Sequence, residues 1–186
     1  MSRLTEALGA ERGRGLPPVE RWDPPFCGDL DMRIAADGTW SYLGTPIGRP
    51  ALVKLFSSVL KREGDAYFLV TPVEKVGITV EDAPLQAVDM AVDGEGDRRS
   101  IAFRTATDDL VTVGAEHGLR FVKSADDGVK PYVHVRRGLW ARLTRAVSYD
   151  LLALGEIREV DGASVFGIAA AGGFHIVAPA SEIEGA

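Results

Sequence analysis

The spacing of apolar residues changes period several times along the chain, and each change marks an element. Met32 and Ile34, then Trp40 and Tyr42, alternate with polar positions on either side of Ala36-Asp37-Gly38. Alternation about an Asp-Gly turn predicts a β-hairpin, because glycine supplies the positive φ of a tight turn at no steric cost. Gly44-Thr45-Pro46-Ile47-Gly48-Arg49 reads as a short extended segment, and Pro50 opens a helix, where its missing N–H costs nothing. Leu52, Leu55, Phe56, Val59 and Leu60 then recur at helical spacing. They form one apolar stripe of an amphipathic helix, with Lys61, Arg62 and Gly64 as its stop.

Strand patterns follow over Tyr67–Val70, Val73–Val80, Leu85–Val92, Ile101–Thr105, Leu110–Val113 and Leu119–Lys123, broken by Pro72, by Asp82-Ala83-Pro84 and by Asp-rich turns, the last of them Asp126-Asp127-Gly128. Pro131 to Arg136 alternates again. Leu139, Trp140, Leu143, Val147, Leu151 and Leu154 predict a second amphipathic helix closed by Gly155. Segments 157–160, 164–169 and 174–177 form a last β group. The expected fold is α+β, with two structurally similar halves, each a mostly antiparallel β-sheet with one packed amphipathic helix. The halves are expected at 26–84 and 85–178, with an N-terminal arm over 1–25 and a C-terminal tail over 179–186. Within the arm, Ser2–Ala10 is helix-compatible, the prolines beyond it exclude regular structure, and Trp22 and Phe26 are its expected anchors.

Composition narrows the function classes. The 186 residues are 46% hydrophobic and 26% charged, enough to bury a core. No run approaches the roughly 18 consecutive apolar residues of a membrane helix, and the first residues lack a signal-peptide centre. A lone cysteine, Cys27, excludes an intramolecular disulfide and a multi-cysteine zinc site. The expectation is a soluble, cytoplasmic protein with no membrane partner. A net charge of −6 opposes a general phosphate-backbone surface, so no nucleic-acid partner is expected either.

The candidate chemistry is sparse. Cys27 lies beside Asp29 and Asp31, which would raise a thiol pKa rather than lower it, so it reads as a buried structural cysteine. His117, His134 and His175 lack zinc-ligand spacing, and Asp29 and Asp31 lack a calcium-loop register. No metal, cofactor or catalytic residue is assigned. On a strand, Tyr132, His134 and Arg136 share one face by the two-residue period. The 44–49 segment lacks the Lys-Ser/Thr pair of a phosphate loop. Arg49 stands at a helix N-terminus, against the helix dipole, which suggests a carboxylate partner or an anionic ligand.

Trp22-x-Pro24-Pro25-x-Cys27-Gly28-Asp29-x-Asp31-Met32-Arg33-Ile34, Gly44-Thr45-Pro46-Ile47-Gly48-Arg49-Pro50, Thr71-Pro72-Val73-Glu74-Lys75 and Pro131-Tyr132-Val133-His134-Val135-Arg136-Arg137-Gly138 together resemble the proteobacterial family catalogued as domain of unknown function 1285. The resemblance runs from about Trp22 to near Ala178. It implies an α+β bacterial protein of two similar halves and a regulatory or signal-transduction role, and it supplies no catalytic residue.

Three functions compete on these residues. The first is a non-catalytic ligand-binding or regulatory module with a site between the halves, using Arg33, Arg49, His134 and Arg136 around a small anionic ligand or a protein partner's acidic group. The second is an enzyme using Cys27 or a Glu74/His134 acid-base pair. The third is a protein-protein interaction module docking through strand edges.

Overall fold

The computed structural model describes residues 15–125 and 128–183. The helix-compatible run Ser2–Ala10 and the Asp126-Asp127 pair of the predicted turn lie outside them. The chain divides into two compact units: the residues up to Leu85 together with Arg137–Leu139, and Gln86–Arg136 together with the residues from Trp140 onward.

The first unit is built on six strands: β1 (Phe26–Ile34), β2 (Trp40–Tyr42), β3 (Thr45–Pro46), β4 (Leu60–Glu63), β5 (Ala66–Val70) and β6 (Lys75–Val80). Their order is β3-β2-β1-β6-β5-β4. The predicted hairpin is present, with Met32 opposite Tyr42 and Ile34 opposite Trp40. β1 and β6 close the sheet as a parallel pair, interrupted by register shifts. Between β3 and β4 runs helix α1 (Pro50–Ser58), with proline in its first turn as expected. Phe56 is fully buried and its ring stacks on Trp40 at 6.3 Å between centroids. Helix, β2 and the inner face of β1 thus share a core of Met32, Ile34, Trp40 and Phe56.

Two expectations are corrected in this unit. Leu60, assigned to the helix stripe, is instead the buried first residue of β4, opposite Leu69. The helix ends earlier because that pairing takes the backbone groups a further turn would use. The arm is anchored by Val19, fully buried in a single 3-10 turn (Val19–Arg21), while Phe26 is 54% exposed.

The second unit repeats the sheet. Its strands β7 (Leu85–Asp93), β8 (Ser100–Thr105), β9 (Leu110–Thr112), β10 (Leu119–Lys123), β11 (Val129–Arg136) and β12 (Leu139–Leu143) lie in the order β10-β11-β12-β7-β8-β9. Counted from β7, this is the order of the first sheet. Each consists of two three-strand meanders, with the first strand of one beside the last strand of the other. The two halves are therefore similar, as expected, with the likeness residing in the strands.

The helices enter at different points. Helix α2 (Arg145–Leu152) follows β12, where α1 joins β3 to β4. Leu139–Leu143, read as the start of a helix, is β12, in which buried Leu139, Ala141 and Leu143 alternate with Trp140 and Arg142. A spacing of four between Leu139 and Leu143 satisfies both periods, and the alternation decides. The helix begins only after Thr144, whose hydroxyl accepts the Val147 N–H. A three-stranded antiparallel sheet of β13 (Glu156–Val160), β14 (Ala163–Ala170) and β15 (Gly173–Pro179) follows, then a short helix α3 (Ala180–Ile183). No helix among the described residues is long and apolar enough to cross a membrane.

Candidate functional site

In the first unit, Arg33 on β1 donates to Glu81 Oε1 at 2.7 Å, and Glu81 Oε2 accepts the Ala36 N–H at 3.0 Å. The Arg33 bond and the Ala36 N–H together hold the Glu81 carboxyl below its ordinary range. Arg49 caps α1 with its backbone carbonyl and is exposed, with no acidic partner among the described residues. Glu74 sits in the tight turn before β6, its N–H bonded to the Thr71 hydroxyl at 3.0 Å.

Cys27 is exposed, which overturns its reading as a buried cysteine. The reason is local. β2 pairs with β1 only from Met32 onward, so the first residues of β1 have β6 on one side and an open edge on the other. The Cys27 thiol donates to the Pro25 carbonyl at 3.4 Å. Nothing in that contact activates a thiolate.

In the second unit, Tyr132, His134 and Arg136 project from β11. His134 Nδ1 lies 2.7 Å from the Glu116 carbonyl, and its ring meets the edge of Trp140 at 5.3 Å. The Arg120 guanidinium covers both the Tyr132 and Trp140 rings, at 4.9 and 4.6 Å. Arg136 is an internal cation. It donates to Asp109, and the two side chains are only 11% and 13% exposed. The hydroxyls of Thr105 and Thr107 donate to the other Asp109 oxygen at 2.9 and 3.0 Å. A nearly buried carboxylate is thus saturated by its own unit.

The second unit also holds a cavity of about 490 Å³ that the sequence reading missed. Its lining draws on three elements: Lys130 and Pro131 from β11, Arg142 and Leu143 from β12, and Arg145, Ser148, Tyr149 and Leu152 from α2, with Ser124 from the end of β10. The Lys130 side chain forms no hydrogen bond or ion pair among the described residues. Arg145 engages only Tyr149, whose hydroxyl accepts from Nε at 3.2 Å and Nη2 at 3.1 Å. Two cations in one cavity are therefore without an acidic partner among the described residues. Arg145 is also the first residue of α2, so its charge faces the positive end of the helix dipole. Arg145 thus stands at a helix N-terminus as Arg49 does, a placement that a helix starting at Leu139 conceals.

The first unit has a smaller cleft, about 330 Å³, between Phe26, Tyr67, Phe68 and Ile78. It lies over Gly77, where a Cβ would meet Asp29 Oδ1 at 2.1 Å. Lys75 lies over the Phe68 ring at 4.9 Å and bonds Glu63 at 2.9 Å. That bond is the chief reason the Glu63 carboxyl is held below its ordinary range, with Lys61 adding to it. No cluster of three or more metal-ligating side chains occurs among the described residues.

Comparison with known proteins agrees with the architecture. Residues 17–83 match the family model described as domain of unknown function (DUF1285), N-terminal domain, and residues 84–177 match the corresponding C-terminal domain. A crystal structure of a DUF1285 family protein from Silicibacter pomeroyi DSS-3 is 47% identical in sequence, with 97% of each chain covered and a TM-score of 0.89. Another, from Shewanella baltica OS155, is 35% identical with a TM-score of 0.53, covering 67% of this chain and 91% of that one. No curated protein matches.

Proposed function

The chain belongs to the DUF1285 family, whose descriptions name no activity, and from its side chains we propose a non-catalytic ligand-binding or regulatory module that takes a small anionic ligand in the second unit's cavity. The observation that carries this reading is the pair of cations, Lys130 and Arg145, lining one cavity without a carboxylate among the described residues. In an acidic chain, most cations find acidic neighbours. Here Arg33 and Arg136 already hold Glu81 and Asp109. The anion-binding role expected of those two arginines accordingly passes to Lys130 and Arg145.

Chemistry supports the assignment. An anion between Lys130 and Arg145 would offset both the mutual repulsion of the cations and the unfavourable position of Arg145 on α2. The cavity volume falls within the roughly 300–1,000 Å³ of small-molecule sites. Leu143, Leu152 and Pro131 supply apolar surface in the same lining.

The test is thermal unfolding of the full chain in the presence of small carboxylates, phosphates and amines. Anions should raise the melting temperature in proportion to the logarithm of their concentration. The Lys130→Gln/Arg145→Gln double variant should lose that shift. The reading fails if no anion stabilises the protein, or if the stabilisation survives the double substitution.

A further inference from the structure

We infer that the ligand of this cavity is a phosphate monoester carried on an apolar body, an inference that rests on the anion-binding reading above. The donor inventory is what separates phosphate from carboxylate. Lys130 brings an ammonium with three donors and no acceptor to satisfy among the described residues. Arg145 spends Nε and one Nη2 hydrogen on Tyr149, leaving its remaining N–H groups for a ligand. Tyr149 is the telling residue. Its hydroxyl accepts from a guanidinium, so its own proton remains to be donated to a ligand. Tyr149 is 59% exposed, and its hydroxyl is held by Arg145.

The Ser124 hydroxyl adds a further donor to the lining. Ser148 does not, because its hydroxyl donates to the Leu143 carbonyl at 3.4 Å. Lys130, Arg145, Tyr149 and Ser124 thus offer donors from four side chains. A carboxylate brings one charge and two oxygens. A phosphate monoester brings about −1.5 to −2 and three oxygens, each a strong acceptor. Charge and acceptor number both match the larger anion. Inorganic phosphate would leave Pro131, Leu143 and Leu152 uncovered, whereas an ester with an apolar body covers them.

Among the described residues, the cavity lining contains no histidine, aspartate or glutamate. Between pH 5.5 and 7.5, therefore, the group that titrates is the ligand, whose second phosphate pKa is about 6. Binding should strengthen as the ester becomes a dianion.

Calorimetry on the full chain with phenyl phosphate, benzoate and inorganic phosphate tests the assignment. At pH 7.5 phenyl phosphate should bind at least tenfold more tightly than either of the others. Lowering the pH to 5.5 should weaken it about fourfold, the drop in its dianion fraction, and leave benzoate unchanged. Tyr149→Phe should weaken phenyl phosphate several-fold and leave benzoate little affected, and Lys130→Gln should weaken both. Benzoate binding as tightly as phenyl phosphate, with no dependence on pH, overturns the phosphate assignment and leaves the small-anion reading standing. Inorganic phosphate binding as tightly as its ester overturns the apolar body. Absence of binding by all three, or binding indifferent to Lys130→Gln, overturns both readings.

Discussion

The two six-stranded sheets share one strand order but place their charges differently. In the first unit, Arg33 is matched with Glu81, and Lys61 and Lys75 share Glu63, while exposed Arg49 lies outside the cleft and has no acidic partner among the described residues. In the second, Arg104, Lys123 and Arg158 also hold exposed carboxylates, but Arg136 is drawn inside with Asp109, and Lys130 and Arg145 line a cavity without an acid among the described residues. Topology places side chains in rows and does not dictate which rows are neutralised. Function is accordingly to be sought where uncompensated charges line a cavity.

The sharpest way to break this contrast is to remove the internal carboxylate. Asp109→Ala strands Arg136 in a nearly buried position, and the loss of one partner from such a pair costs about 3–5 kcal/mol. Segment-resolved hydrogen exchange should show the loss in β8, β9 and β11, with β1 and β2 unchanged. Replacing both members by apolar residues of similar size should recover much of the stability. If the single substitution proves neutral, the pair is not the internal element described here.

Two glycines sharpen the comparison further. A Cβ on Gly155 would sit 2.1 Å from the Phe166 ring, whereas one on Gly77 would meet only the carboxylate tip of exposed Asp29. Gly155→Ala should therefore cost about 1–3 kcal/mol, the range of overpacking. Gly77→Ala should cost less, because Asp29 can swing toward solvent. Urea unfolding of the two variants side by side gives the ranking.

The smallest effect belongs to the surface pair. Glu81 is held below its unfolded value by Arg33, so its contribution is present above the unfolded carboxylate pKa and disappears as the pH falls through the folded one. Glu81→Gln should flatten the acid limb of the first unit's stability profile slightly and leave neutral-pH stability almost unchanged, as exposed pairs contribute little. A large loss at pH 7 would contradict that ranking.

Much of the fold could be read from local pattern. The β1–β2 hairpin was legible because alternation and an Asp-Gly turn point to the same register, and α1 because Pro50 and a three-four spacing coincide. β12 was misread because Leu139, Leu143, Val147 and Leu151 continue at a spacing of four through two different elements. The Thr144 cap between them was the signal that would have separated them. The site was far less legible. Arg33 and Arg136 looked available because their carboxylates, Glu81 and Asp109, are distant in sequence. Lys130, Arg142 and Arg145 converge only through a strand pair and the helix that follows, and placing Arg142 on a helix hid that convergence.

The pairing of first strand with last also bears on how the protein is made. β1 lies beside β6, and the bond from Arg33 to Glu81 spans 48 residues. During synthesis, β1 emerges early and has no partner on one side until the whole first meander, α1 and two further strands have followed. Local hairpins form at once, but closure of the sheet waits for its last strand, and such long-range pairing slows folding. Until then, the open side of β1 presents Phe26 and Cys27 to whatever else is nascent, which makes this edge the place where a growing chain needs guarding.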